Sequence, residues 1–134
     1  MTSKHFEELR DEFLTHESKI MDYKRGEYAP NEDKLQNFRE VASFTGQKLS
    51  AVALTYLMKH IQSIALAVRS GNYAWAWETE GGEGLKQRIA DARNYLLLLA
   101  ACLDEEKEVC INNALTKLLR PQDETPIYKE ERIK

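Results

Sequence analysis

Long apolar runs are missing from this sequence: no stretch of about 18 apolar residues occurs, so no membrane span is expected. The start, MTSKHFEELRDEF, is charged throughout and has no apolar core of the kind a secretory signal needs. An excess of positive charge is missing too. With 19 Lys and Arg against 22 Asp and Glu the formal net charge is −3, which argues against a protein that coats duplex DNA by clustering cations on phosphates. Local basic pockets remain open. Cysteine is scarce. Cys102 and Cys110 lie in a stretch that reads as helical, and at about 1.5 Å per residue their Cα atoms stand roughly 12 Å apart. That excludes an intrachain disulfide, and no histidine is near enough in sequence to complete a metal motif. Reduced, mostly buried thiols in a cytoplasmic protein are expected. No internal repeat is present.

What is there suits one helical domain. A chain of 134 residues with 43% hydrophobic residues can build a single core, and the 31% charged fraction fits the outer faces of amphipathic helices. The spacing of Phe6, Leu9, Phe13, Ile20 and Met21 predicts a helix from Lys4 to about Tyr23, capped by Thr2 or Ser3. Its acids Glu7, Glu8, Asp11 and Glu12 read as a solvated first face favoured by the helix dipole. Gly26 and Pro30 in KRGEYAPNED (24–33) should break it. Asp33 or Asn31 then caps a second helix carrying Leu35, Phe38, Val41 and Ala42, which Gly46 ends. Ser50 caps a third, in which Leu54, Leu57, Met58, Ile61, Ile64, Ala65 and Val68 give the strongest periodic signal in the chain. This is expected to be the central core helix.

Residues 71–84, GNYAWAWETEGGEG, place Trp75 and Trp77 in a Gly-rich linker. Their alternation suits a short strand, but one strand has nothing to pair with, so a loop folded against the helices is expected. A fourth helix then starts near Glu83 or Gly84 and buries Leu85, Ile89, Ala92, Leu96, Leu99 and Leu103, a stripe suited to antiparallel bundle packing. The pattern continues through Ile111, Ala114 and Leu118, so one long rod and two kinked helices both fit. Pro121 and Pro126 close the helical region. The fold class expected is all-α, a four- to five-helix antiparallel bundle over residues 1–120 with a flexible C-terminal tail over 121–134. The leucine run 96–99 carries more apolar atoms than one face buries, so a homo-oligomer is expected.

Two polar edges interrupt the apolar pattern. On a helical wheel Gln87, Asp91 and Asn94 share one side of the fourth helix, at the margin of its leucine stripe. On the third, Lys59 stands between His60 and Ser63. If the edges face one another, Lys59, His60, Asp91 and Asn94 form a pocket of mixed charge that suits a phosphate and a base. The plainer alternatives are a rim ion pair between Lys59 and Asp91, a structural His60 and an Asn94-Tyr95 pair that closes the core. A metal site is not expected. Glu83 and Asp91 lie about 12 Å apart along the axis, too far for ligands that must each come within about 2.1 Å of Mg²⁺, and Gln87 stands between them. Other acids would have to come from Glu40, Glu8 or Glu12.

The segments EYAP with NF (27–30 and 37–38), KHIQSI (59–64) and RIADARNYLLLLAA (88–101) resemble a group of small uncharacterised bacteriophage proteins over about residues 24–106. More remotely, the layout is similar to MazG-type all-α nucleotide pyrophosphatases, which bind a nucleoside triphosphate in a helical groove. Those enzymes hold Mg²⁺ with Glu-x-x-Glu and Glu-x-x-x-Asp helices and often act as dimers or tetramers. By that resemblance Asp91 matches the second acid of the latter motif, Asn94-Tyr95 its following pair and Lys59 the basic residue of the preceding helix. Gln87 stands where the first acid belongs, and Glu40 stands alone on the second helix. Two-metal phosphoryl chemistry needs both clusters, so the resemblance implies a binder rather than a hydrolase.

The resulting expectation is a phage-encoded nucleotide-binding protein in the host cytoplasm, with no membrane and no duplex nucleic acid as partner. One form of it sequesters a nucleotide or cyclic nucleotide used as a host immune signal. Lys59, His60 and Arg88 would meet phosphate, Ser63 would line the groove, and Asp91, Asn94, Tyr95 and Trp75 would meet the nucleoside. The alternatives are a metal-dependent nucleotide pyrophosphatase, with Mg²⁺ as its cofactor, and an interaction module that binds a host protein through the Trp75/Trp77 loop or the tail.

Overall fold

The computed structural model describes residues 1–28 and 33–119, with the backbone alone for 23–28. The expected tail 121–134, Pro30 and the Asn31 cap lie outside the described residues. The fold is an all-α helical bundle: α1 (Ser3–Tyr28), α2 (Gln36–Thr45), α3 (Leu49–Ser70) and α4 (Leu85–Leu119), with a hairpin of β1 (Glu78–Thr79) and β2 (Gly82–Glu83) ahead of α4. The chain divides into two units, residues 1–103 and 104–134. In the described part of the second, Ile111 and Leu118 are exposed, so the expected stripe there buries nothing.

Local chemistry explains most of the boundaries. The helix α1 runs through Gly26 to Tyr28, because one glycine costs about 1 kcal/mol in a helix without stopping it. Asp33 pins the first turn of α2. Its Oδ1 accepts the Leu35 N–H at 3.0 Å and its Oδ2 pairs with Arg39 Nε at 2.6 Å. The Arg39 guanidinium, helped by the Leu35 amide, holds this carboxyl below the usual carboxylate range. Gly46 (φ 70°) and Gly71 (φ 68°) end α2 and α3 in the left-handed conformation, each donating its N–H back to a carbonyl of the last turn. Ser50 does not cap α3. Lys48 holds that position without a side-chain bond, and Ser50 lies inside the helix.

The core joins α2, α3 and α4. Leu35, Phe38, Val52, Ala53 and Cys102 are buried together, with Tyr56, Tyr95, Leu98 and Leu99 packed around them. Cys102 is thus a buried core thiol, whereas Cys110 is exposed. On α4, Leu85 and Ala92 are buried as expected, but Leu96 and Leu103 are each 50% exposed.

The largest departure is on α3. Of its expected core stripe only Leu57 is buried, while Leu54 (47%), Met58 (53%), Ile61 (40%) and Val68 (62%) face outward. The face that packs carries Val52, Ala53, Leu57 and Ala67. Periodicity marks an apolar face without saying which way it points, and α3 has two of them. It is also long and apolar enough, by length and composition, to cross a membrane.

The linker before α4 folds onto that helix's first turn. The N–H of Gly84 donates to Trp77 O (2.9 Å), that of Leu85 to Ala74 O (2.9 Å) and that of Lys86 to Ala76 O (3.2 Å). These amides would otherwise be orphan donors of a helix start. Trp75 and Trp77 lie in the expected loop, outside any strand, and a two-residue hairpin that the sequence did not announce follows them, with Glu78 paired to Glu83 and Thr79 to Gly82. Gly84 is required by the close approach: a Cβ there would lie 1.8 Å from the Ala76 carbonyl oxygen. Gly84→Ala should therefore destabilise the fold by about 1–3 kcal/mol, the usual cost of overpacking. Gly81→Ala, with nothing within 4 Å of the new Cβ, should stay within about 0.5 kcal/mol of the parent. Urea unfolding midpoints of the two variants check this.

Candidate functional site

Two side-chain clusters meet α4 on successive turns. The first lies between α1, the linker and the start of α4. On α1, Glu12, Phe13, His16 and Glu17 fall on one side because residues three and four apart are neighbours on a helix face. Phe13 is buried and packs against Trp77, with ring centroids 4.9 Å apart. The His16 ring stacks on Trp77 at 3.7 Å. The indole N–H of Trp77 donates to Glu12 Oε1 (2.8 Å), and Lys86 Nζ donates to the same oxygen (2.7 Å). The Lys86 bond first, then the Trp77 bond, hold the Glu12 carboxyl below its ordinary value of 4.5.

Behind this layer runs a relay of amide and carboxylate. His16 Nε2 donates to Gln87 Oε1 (2.9 Å), and Gln87 Nε2 donates to Asp91 Oδ1 (3.1 Å). With the Gln87 oxygen accepting, the proton of a neutral His16 ring sits on Nε2. Asp91 is only 3% exposed. Asn94 Nδ2 donates to the main-chain oxygen of Glu17 (3.5 Å), and Arg93 Nε lies 2.6 Å from Glu17 Oε1, off the alignment of a hydrogen bond. Burial raises the Glu17 carboxyl above its ordinary value of 4.5, against the pull of Arg93 and His16.

The second cluster joins α2, α3 and α4. Phe38, Tyr56 and Tyr95 sit with centroids 5.8–6.1 Å apart. His60 stacks on Tyr95 at 4.7 Å, and the exposed Lys59 places Nζ 5.5 Å from the Tyr56 ring centre. Tyr95 follows Asp91 by one helical turn, so the two clusters share one face of α4.

Of the residues singled out from the sequence, Lys59, His60 and Tyr95 come together, and Ser63 is half-buried one turn further along α3. Asp91 and Asn94 instead bond toward α1. Arg88 is half-buried. Trp75, 51% exposed, belongs with Phe13 and Lys86, whose Nζ lies 5.4 Å from its ring centre. Sequence reasoning passed over Glu12, His16, Glu17, Lys86 and Arg93 as binding-cluster members, and Tyr56 altogether. The Phe13-x-x-His16-Glu17 spacing was the available signal, an aromatic, a histidine and an acid on one helical side.

A metal does not fit these residues. Among the described residues no group of three or more His, Cys, Asp or Glu side chains is placed to hold one, and the Asp91 carboxylate is buried against Gln87. Glu40, an acid considered from the sequence, lines a shallow depression with Gln36, Arg39, Ser43 and Phe44. No family model, no curated protein and no solved structure matches the chain.

The two shifted acids act oppositely with pH. Glu12, with its folded value depressed, contributes stability above its unfolded value that is lost as pH falls through the folded one. Glu17, with its folded value raised, favours the fold in its neutral form and loses that contribution as pH rises through the folded value. Glu12→Gln should therefore lose stability at about pH 7 but converge on the parent below about pH 4. Glu17→Gln should instead flatten the decline as pH rises above the ordinary value of 4.5. Urea unfolding across that range reads both.

Proposed function

We propose that the chain is a nucleotide-binding protein whose ligand lies along the α3–α4 edge made by Tyr56, Lys59, His60 and Tyr95. The observation that carries this reading is the stack of His60 on Tyr95 beside the exposed ammonium of Lys59. Aromatic faces accept a base of any identity, and a neighbouring cation takes its phosphate. Ser63 supplies a hydroxyl one turn on. Asp91 and Asn94 act through the fold in this reading: they fix α4 against α1 and so hold Tyr95, without touching the ligand.

Binding is favoured over metal-assisted hydrolysis, because among the described residues no three His, Cys, Asp or Glu side chains are grouped to hold a metal ion. In the form nearest to the phage resemblance, the protein acts in the host cytoplasm and withholds a nucleotide or cyclic-nucleotide immune signal. A second reading, an interaction module, is favoured by Tyr73 and Trp75, which stand 49% and 51% exposed on the linker.

Thermal-shift assays with mono-, di-, tri- and cyclic nucleotides test the proposal. A ligand at about 100 times its Kd should stabilise the fold by about 2.7 kcal/mol. Lys59→Ala, at an exposed position, should weaken that ligand at least about tenfold, the effect of about 1.4 kcal/mol, while leaving the ligand-free stability unchanged. No shift with any nucleotide contradicts the proposal. Pull-down of a host protein that is lost on replacing Trp75 supports the second reading instead.

A further inference from the structure

The outward face of α3 has no place in the nucleotide reading. Its residues Leu54, Met58, Ile61, Ala65 and Val68 step by four, three, four and three, the spacing of a two-helix seam rather than of a scattered surface. Four of the five are 40–62% exposed and Ala65 is half-buried. At about 100° per residue they occupy an arc about as wide as a core-facing stripe. A helix that is apolar on both sides is one that has two neighbours, and the packed side already has α2 and α4.

We infer that this face pairs with the same face of a second copy of the chain, antiparallel, about a two-fold axis beside Ile61. Three observations select that occupant. The first is charge. The seam is uncharged and its flank carries Thr55 and Gln62, so two copies meet without like charges along its length; Arg69 is the one charged residue at its margin. An antiparallel arrangement holds the two Arg69 side chains at opposite ends, whereas a parallel one sets them side by side. The second is size. Running antiparallel, Leu54 meets Val68 of the other copy, Ile61 meets itself, and the long Met58 meets the small Ala65, which lets the side chains interdigitate. A parallel pair would oppose Ala65 to Ala65 and leave a gap. The third is the net charge of −3 on the whole chain. It opposes the anionic membrane surface that a basic amphipathic helix would seek.

The seam is about 21 Å long at about 1.5 Å per residue. One helix pair of that length buries less than the about 800 Å² per partner of a standard interface, so the dimer forms reversibly with concentration. This seam is not the leucine run 96–99 from which an oligomer was expected.

Sedimentation equilibrium of the full chain over a broad concentration series tests the inference. The mass should rise from 15.5 kDa toward twice that value. Ile61→Glu and Met58→Glu, both at exposed positions, should remain at the monomer mass with unchanged helical circular dichroism. As a second readout, Ile61→Cys in a Cys110→Ser background should cross-link to itself under mild oxidation, and Thr55→Cys in the same background should do so poorly. A wild-type mass that stays at 15.5 kDa at every concentration overturns the inference. So does a dimer untouched by either Glu variant, which places the contact elsewhere, or capture of the monomer by anionic vesicles that the Glu variants abolish.

Discussion

Asp91 must be hydrogen-bonded, and the first half of α4 is arranged around that requirement. A carboxylate that is 3% exposed costs several kcal/mol of lost hydration unless fixed donors replace water. One donor it finds is the Gln87 amide, one turn earlier on the same helix. An amide that gives its N–H to a carboxylate presents its oxygen the other way, and that oxygen takes the proton of His16 on α1. The Gln87 side chain thus links Asp91 to His16 across the two helices and sets the tautomer that a neutral His16 ring adopts. The same ring lies flat on Trp77, so the linker is held by the helix pair that its own backbone caps.

This arrangement divides the work of α4. Its first turns are tied by backbone amides to the linker and by side chains to α1. The next turn presents Tyr95 to α2 and α3, where Phe38, Tyr56 and His60 gather round it. Tyr95 stands one turn from Asp91, so the bonds that hold α4 against α1 also position the aromatic edge. The linker contributes stiffness of its own. Three carbonyls that would otherwise face solvent accept the amides of Gly84, Leu85 and Lys86, a contact that depends on the missing Cβ of Gly84.

Helix ends were legible at Gly46 and Gly71, which stop α2 and α3 where turn chemistry places them, but not at Gly26, which α1 passes through. The all-α class followed from periodicity alone. Side-chain direction did not follow. The 4-3 stripe of α3 was the clearest pattern in the chain, yet it faces out, because the close packing of α3 uses the smaller Val52, Ala53 and Ala67 that a hydrophobicity pattern ranks lower. Lys59, His60 and Tyr95 were singled out as polar residues on apolar helices, and the structure brings them together. Asp91 was found for a related reason but lies inside, since a wheel places it at a margin without saying whether α1 covers that margin. His16 and Glu17 share a helical side with Phe13, but the spacing did not say what that side meets, because their partners lie on a helix more than 70 residues away in sequence.

The coupling between His16 and Asp91 tests the central claim most directly. A double-mutant cycle of His16→Ala and Asp91→Ala, followed by urea unfolding at about pH 7, should give an interaction energy of about 0.5–3 kcal/mol, the range for residues in one hydrogen-bonded network. Effects that simply add, within about 0.3–0.5 kcal/mol, would mean that the buried carboxylate does not join α1 to α4, and the aromatic edge would then lack the support described here.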